Sequence, residues 1–578
     1  MEGKIMKQDK SLSITGGEAL ARMLSLYQAK YMFGIGGFQL LPFYNAIAES
    51  GNASPKHILM NDERSGAFAA DAFARVSGRP GLCDGTMGPG ATNLTTGIIE
   101  SYTAGIPTIA VIGDSNRNHS LKNMTQETRQ REVLTPVVKE FIQVEMGHRI
   151  PEFIRRAFIA ATAGKPGPVI VSVPENVCHG VWLYDKDDFY INEYSLSAPA
   201  YRTRPDPEQV KEAAALISRS ERPIILVGGG IHLSGAHEEL RQFAEELNIP
   251  VGHTLSGKGA LACSDDLCVG LFGRYDRIAN DLIGKSDLIV SVGFKFGEIA
   301  TNRYSLIPPS VDLIDIDITP EEIGKHQKVS VALWSDCKLA LESLIQEMAE
   351  DARVQNRKRQ PYIDEIKELK KEWFEVNQSK LKSDETPLTM GRVCYELTRA
   401  MPKKGILLAD GGFAAHWTGL LYDAPTAGRT FVANRGNASI GYGAPGGIGA
   451  QLGAGDSPVV AVTGDGGFNM SLGELETAIR ECIPVTYLIV NNAASGYVKA
   501  LQHGMYRRYQ SSELKEMDYA RIAKAMGANG KRVKKPGDLA GVLRESIAET
   551  TYPTVIDVLT TRDPDGMLPA KDARTQER

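Results

Sequence analysis

A run of apolar residues, Pro458-Val459-Val460-Ala461-Val462, leads through Thr463 into Gly464-Asp465-Gly466-Gly467, and a second run, Val485 to Val490, leads into Asn491-Asn492. Apolar runs of this length bounded by glycine read as strands buried on both faces, and the helical pattern between them makes the pair a parallel strand–helix–strand crossover. Two strand ends then meet at one edge of one sheet. Magnesium takes near-octahedral oxygen ligands and keeps a phosphate among them, so a carboxylate, an amide oxygen and a backbone carbonyl from separate strand ends suit a metal-bound diphosphate. Asp465 and Asn492 are the side-chain candidates and the carbonyl of Ala494 the third. Gly464, Gly466 and Gly467 let backbone approach a diphosphate whose charge suits the start of the helix that follows, and Gly496 stands just beyond the asparagines.

The segment GDGGFNMSLGELETAIRECIPVTYLIVNN resembles the diphosphate-binding motif of thiamine-diphosphate enzymes, and is most similar to the acetolactate synthase branch, large catalytic subunit type. The resemblance implies a second site far upstream, a glutamate near the end of an early strand that hydrogen-bonds the aminopyrimidine ring and favours its imino tautomer. Glu63 holds that place, where the strand-like His57 to Met60 gives way to a small-residue helical pattern reaching Arg75. Burial beside an uncharged ring suits a carboxyl tuned for proton shuttling.

At 578 residues and 42% hydrophobic content, the chain is long enough for three or four domains with substantial cores. A net charge of −5 over this length gives no general attraction to nucleic acid. Seven cysteines are scattered (83, 178, 263, 268, 337, 394 and 482). Cys263 and Cys268 are close, but without a second pair they do not make a metal motif. The N-terminus lacks an apolar signal core and no stretch reaches the roughly 18 apolar residues of a membrane span, so a cytoplasmic protein with no membrane partner is expected.

Helical patterns alternate with apolar strands such as Pro107 to Gly113 and Pro168 to Val173, the grammar of doubly wound parallel sheets. Three α/β domains are expected: 11–190 for the cofactor's pyrimidine, 205–345 as a central Rossmann-like domain, and 386–562 for the diphosphate. A stretch from about Tyr194 to Pro207 reads as a linker, and a charged helical segment from Leu341 to about Asp384 as a bridge. The polar tail DPDGMLPAKDARTQER is left open between a mobile end and a cover over a site.

By the same resemblance, Thr86-Met87-Gly88-Pro89-Gly90-Ala91-Thr92-Asn93 corresponds to a glycine-rich turn beside the pyrimidine, with Gly88, Pro89 and Asn93 as cofactor contacts. Gln126 corresponds to a catalytic glutamine facing substrate. Arg435 to Gly443 corresponds to the loop under the bent cofactor. There Ala438 contributes a contact, and Ile440 falls where a bulky apolar residue wedges the two rings into a V.

Departures from the acetolactate synthase pattern concern the substrate. Phe38 replaces the small residues of the oxyanion-side loop, Tyr497 stands where those synthases carry Met, and Leu501 where they carry a Trp that selects the second 2-keto acid. Val498 occupies the place of a protonating Glu in pyruvate decarboxylases. His503 and Lys295 are further candidates for substrate contacts. In the middle domain Gly228-Gly229-Gly230, Thr254-Leu255, Gly270 to Gly273 and Asp315 to Asp317 fall where relatives line a flavin or nucleotide. Lys295-Phe296-Gly297-Glu298-Ile299 lacks the second arginine of the flavin-binding element, which weighs against FAD without removing it, so FAD, ADP, coenzyme A and no ligand all stay open for this domain. The implied activity is thiamine-diphosphate- and Mg2+-dependent carbon–carbon ligation or cleavage on 2-keto acids or related carbonyl compounds by a homodimer or homotetramer. The alternatives are a lyase or decarboxylase acting on 2-hydroxyacyl-CoA, an acyloin or a diketone, and a non-catalytic cofactor-binding subunit.

Overall fold

Residues 11–50, 55–570 and 572 are described by the structure, a computed structural model. The chain divides into two compact units, Met1–Tyr201 and Arg202–Arg578, so the Tyr- and Pro-bearing linker lies at the division.

The first unit carries a two-stranded antiparallel ribbon, β1 (Ser11–Thr15) with β8 (Val181–Asp185), and a six-stranded sheet. The sheet is built from β2 (Tyr31–Gly34), β3 (Lys56–Leu59), β4 (Gly81–Gly85), β5 (Thr108–Asp114), β6 (Glu140–Gln143) and β7 (Val169–Pro174), in the spatial order β3-β2-β4-β5-β7-β6 with every pair parallel. All residues of β4, β5 and β7 are buried, as expected for strands covered on both faces. The helix Glu63–Ser77 owes its close packing to small residues: an added Cβ at Gly66 would come within 2.7 Å of the Phe33 carbonyl oxygen. One charged cluster crosses this core. Arg75 bridges Asp71 (2.5 Å) on its own helix and Glu100 (2.8 Å) on the helix Thr95–Ala104, while Ser101 donates to Asp71; both acids are fully buried.

The second unit holds two further six-stranded parallel sheets. The central one contains β9 (Pro223–Val227), β10 (Val251–His253), β11 (Cys268–Leu271), β12 (Leu288–Val292), β13 (Asp312–Asp317) and β14 (Val331–Trp334), ordered β11-β10-β9-β12-β13-β14. Renumbered from its first strand this is 3-2-1-4-5-6, the dinucleotide-fold order. The last sheet contains β15 (Ile406–Ala409), β16 (Phe431–Ala433), β17 (Val459–Gly464), β18 (Thr486–Asn491), β19 (Asn529–Val533) and β20 (Thr554–Leu559), ordered β16-β15-β17-β18-β20-β19. Renumbered, the first and last sheets have the same winding, 2-1-3-4-6-5, which differs from that of the central sheet.

The charged segment expected as a bridge forms the helices Cys337–Glu347 and Ala352–Leu381. The longer helix is a structural part of the central core: Tyr362, Ile363 and Ile366 are buried in it, and Arg359 donates to the carbonyl oxygens of Leu247 (3.0 Å) and Ser220 (3.2 Å). The central and last sheets are joined closely. Lys258 donates to the Gly419 carbonyl (2.8 Å), Arg277 to the Leu420 carbonyl and to Asp423 (2.8 Å each), and Leu255 packs where a Cβ on Gly419 would stand. Among the described residues no helix is long and apolar enough to cross a membrane.

Removing one partner of a buried charge cluster leaves the others uncompensated, so Arg75→Ala is expected to destabilise the first unit by about 3–5 kcal/mol, read as a lowered denaturation midpoint. An unchanged midpoint would show that the cluster contributes nothing to the stability of the first unit.

Candidate active site

In an open parallel sheet, ligands bind beyond the carboxyl ends of the strands where the winding reverses direction. In the first unit that point lies between β2 and β4, and both strands end in glycine. An added Cβ on Gly37, in the loop after β2, would meet the Thr86 side chain at 2.3 Å, which shows how closely the two loops approach. Glu63 stands at the start of its helix, capped by Asp62, whose side chain accepts from the Arg64 amide. Its carboxyl is buried and is oriented by Asn93, whose Nδ2 donates to Oε2 (3.0 Å). The other oxygen, Oε1, faces Gly90, where a Cβ would come within 3.0 Å. Asn93 is therefore a partner of Glu63, and its own side chain is exposed, as is Pro89.

Gly88 is required twice over. Its φ is +76°, and a Cβ would stand 2.0 Å from the Gln126 carbonyl oxygen. Gln126 itself has φ +69° and an exposed side chain, so the glycine turn and a strained glutamine lean on each other, the kind of strain that collects at functional sites. Gln130 was not singled out in the sequence. It is buried, accepts from the Gly88 amide (3.1 Å) and donates to the Gly113 carbonyl (2.9 Å), tying the turn to β5. Phe38 is 59% exposed and rests against His179, with ring centres 5.1 Å apart.

In the last sheet the winding reverses between β15 and β17, and the residues beyond these strands are Asp410-Gly411-Gly412 and Asp465-Gly466-Gly467. Asp465 is 3% exposed. Its Oδ1 accepts from the Gly466 amide (2.8 Å), and its Oδ2 is buried with no hydrogen-bond partner. Burial raises its pKa to about 6, against the opposing effect of amides at Gly466, Ala493, Asn492 and Ala494. A buried carboxylate oxygen without a partner is costly unless something absent from the chain, such as a cation, completes it.

Asn492 is buried, and its Oδ1 accepts from the Ala494 amide (3.1 Å). Hydrogen bonds from Leu514 to the Ala493 carbonyl and from Ser495 to the Ser512 carbonyl hold this turn, and leave the Ala494 carbonyl outside them. Asn491 has a different place: its amide donates to Asp557 (2.8 Å) and to the Met517 carbonyl (2.9 Å). Gly464 has an ordinary φ of −72°, and a Cβ there would meet nothing within 4 Å. Neither conformation nor packing requires a glycine there, so room for a ligand is the remaining reason. Gly467 and Gly496 differ, because Cβ atoms there would meet Asp410 at 2.5 Å and Asn492 at 2.7 Å.

Asp410 organises this end of the sheet and had no role in the sequence reading. Its Oδ1 accepts from the amides of Gly411 (2.7 Å) and Tyr442 (3.1 Å), and its Oδ2 from Thr463 Oγ1 (2.7 Å) and the Gly441 amide (3.1 Å). The loop so fixed carries Ala438 at φ +55° and Ile440, 44% exposed. An exposed, bulky apolar side chain on a rigidly held loop is not core, and it fits a wedge beneath a ligand. The signal for Asp410 was available: like Asp465, it is an acid closing an apolar run before two glycines.

The substrate candidates other than Phe38 lie in the second unit. Tyr497 accepts from Arg274 (2.9 Å), lies 3.4 Å from Asp572 and stacks on His416. His503 is bound by Tyr509 and Arg507, with Asp565 3.3 Å away, and Leu501 is half-buried one turn from Tyr497. Lys295 belongs to the central sheet, where its charge acts on Asp317. Among the described tail residues Met567, Pro569 and Asp572 are buried. Met567 is fully buried beside Ala494 and Ala500, and its carbonyl accepts from Trp417 Nε1 (3.1 Å). Residues 571 and 573–578 of that tail lie outside the described part.

Glycine-rich crevices at the winding reversals of two like-wound sheets, one with an oriented buried carboxyl and one with an unpartnered carboxylate oxygen, define a doubly wound cofactor-dependent α/β enzyme. Residues 14–133, 210–344 and 410–558 match, respectively, the families described as thiamine pyrophosphate enzyme, N-terminal TPP binding domain, central domain, and C-terminal TPP binding domain. The chain is 33% identical to the probable acetolactate synthase large subunits of Methanococcus aeolicus (92% of this chain, 90% of the relative) and Methanocaldococcus jannaschii (96% and 93%). It is 30% identical to the acetolactate synthase large subunit of Corynebacterium glutamicum (95% and 87%). The chain belongs to the thiamine pyrophosphate enzymes, in the branch of the acetolactate synthase large subunits.

Two substitutions separate folding from ligand binding here. Because the folded-state pKa of Asp465 lies above its ordinary value of 3.8, the stability contributed by its protonated form is lost as pH rises through about 6. Asp465→Asn is therefore expected to stabilise the ligand-free chain at neutral pH by on the order of 2 kcal/mol while weakening its binding of thiamine diphosphate. Gly464→Ala is expected to leave the metal-free melting temperature unchanged and to weaken thiamine diphosphate binding in titration calorimetry. A loss of stability instead would show that the glycine serves the fold.

Proposed function

We propose that this enzyme joins or cleaves a carbon–carbon bond next to the carbonyl of a 2-keto acid or related carbonyl compound, with Mg2+ as the second cofactor. The observation that carries this reading is the buried, unpartnered Oδ2 of Asp465 beside Asn492 and the Ala494 carbonyl, in a chain similar to acetolactate synthase large subunits along nearly its whole length. Asp465, Asn492 and the Ala494 carbonyl are an all-oxygen set that would hold Mg2+ against a diphosphate. When bound, thiamine diphosphate supplies the electron sink that allows such a bond to be made or broken.

The remaining roles belong to the chain. Glu63, oriented by Asn93 at one oxygen, holds and exchanges a proton at the other, Oε1. Gly88 and Gln130 fix the turn that carries Asn93's helix and set Gln126 towards substrate. Ile440, on the loop secured by Asp410, supports the cofactor from beneath. Met567 and the adjoining tail exclude water from the Ala494 side. We also read the active form as a homodimer or homotetramer, because thiamine-diphosphate enzymes place the cofactor between the first domain of one subunit and the third of another.

The reading is tested by adding thiamine diphosphate and Mg2+ to the purified chain and following pyruvate loss, with acetolactate or acetoin as product, while recording the flavin absorption band. Acetolactate formation supports ligation. Cofactor binding with inert pyruvate moves the substrate to an acyl-CoA, acyloin or diketone. Glu63→Gln is expected to lower turnover by roughly 10²–10⁴-fold with thiamine diphosphate binding retained.

A further inference from the structure

The central sheet holds a cluster that the catalytic reading does not use. A ring nitrogen of His253 and the sulfurs of Cys263 and Cys268 all lie within 4.8 Å of one another. His253 closes β10 and Cys268 opens the neighbouring β11, while Cys263 comes from the loop that connects them. The cysteine pair has C-x4-C spacing, within the range of zinc sites, and the third donor comes from ten residues before Cys263. No spacing rule brings that histidine to the pair. It arrives because parallel strands place the end of one and the start of the next around a single returning loop.

The tautomer of His253 is settled by its surroundings. Nδ1 lies 3.1 Å from the Thr254 carbonyl oxygen, which can only accept, so Nδ1 carries the proton. Nε2 is left with its lone pair in a residue 2% exposed, and the side-chain hydrogen-bond neighbour of the ring is Cys263 itself. A backbone carbonyl on one ring nitrogen and an open lone pair on the other is the usual state of a metal-ligating imidazole. Tetrahedral zinc with bonds of about 2.0–2.3 Å needs donor separations of about 3.5–3.8 Å, so the cluster closes on an ion with small side-chain shifts.

Charge and position agree with this. Two thiolates cancel the charge of a divalent ion, so the complex is neutral in a buried site that already houses the Lys258 ammonium, hydrogen-bonded to the Gly419 carbonyl. Soft sulfur with imidazole selects zinc over Mg2+ or Ca2+. The loop bearing Cys263 is also tied to the last sheet's half, since the Cys263 amide donates to the Ala424 carbonyl (3.0 Å).

We propose that His253, Cys263 and Cys268 form a zinc site, with its fourth position open to water, that fastens the central sheet to the C-terminal half of the second unit. The site is separate from the one proposed for Mg2+ at Asp465, Asn492 and Ala494.

The test uses the full-length chain purified in a phosphine reductant without chelator, dialysed against excess Mg2+ and assayed for metal by mass spectrometry. About one zinc per chain is expected, with a loss of at least about tenfold in Cys263→Ser/Cys268→Ser and in His253→Ala, and full retention in Cys482→Ser, whose cysteine is exposed. Should the cysteine variant fail to fold, cobalt added to the reduced, zinc-free wild type is expected to give an intense sulfur-to-cobalt band in the near ultraviolet. Zinc retained in the folded variants, or a reduced wild type that fails to compete for zinc with a micromolar indicator dye and gives no cobalt band, overturns the proposal. A Cys263–Cys268 disulfide in protein prepared without reductant, with no metal bound after reduction, overturns it as well.

Discussion

The loops beyond the carboxyl ends of β15 and β17 hang on the buried carboxylate of Asp410. It follows directly on β15, accepts from the backbone at Gly411, Gly441 and Tyr442 and from the Thr463 hydroxyl, and so helps to fix the loop that carries Ala438 and Ile440. Burial pushes its pKa up, opposed by the four donors that stabilise its charge. The consequence is that Ile440 stands exposed on a rigid base while Gly467 is free to approach within van der Waals contact of the same carboxylate. A ligand meeting this surface finds a shape already formed, which lowers the ordering cost of binding.

The first and last sheets share one winding and put it to different chemical ends. In each, the reversal of strand order opens a crevice between two strand ends, and small residues let the loops above it come close. At one crevice the chain supplies a carboxyl, Glu63, in an oriented and buried setting. At the other it supplies a carboxylate, Asp465, with one oxygen left unpaired. The first costs little in stability because Asn93 completes Glu63. The second is a liability in the bare chain, the common trade of stability for function at a binding site. The central sheet, wound differently, serves in part as a scaffold: Lys258, Arg277 and Leu255 lock it to the helix Phe413–Leu421, whose Phe413 lies against Gly496.

What the sequence by itself determined follows from local chemistry. Apolar runs ending in glycine set the parallel strands, their alternation with helical patterns set the fold class, and Gly464-Asp465-Gly466 with Asn492, and Glu63 at a strand-to-helix junction, are the places where the sequence raises the expectation of a cofactor. The separate fates of Asn491 and Asn492 were not legible, because adjacent residues at a strand end point to opposite sides and only the neighbouring β20, through Asp557, decides which one is structural. Gln130 was missed because its role is hydrogen bonds to backbone far along the chain, whereas Asp410 carried the same local signal as Asp465 but has partners, Gly441, Tyr442 and Thr463, that only the fold brings to it. The substrate side could not be read either: whether Tyr497 or His503 is available depends on Arg274, Asp572 and Tyr509, which reach them only in the folded chain. His253 joins Cys263 and Cys268 for the same reason. A single residue type at a given spacing specifies what a side chain can do, whereas its partners are chosen by the packing of elements distant in sequence, and that choice belongs to the tertiary structure alone.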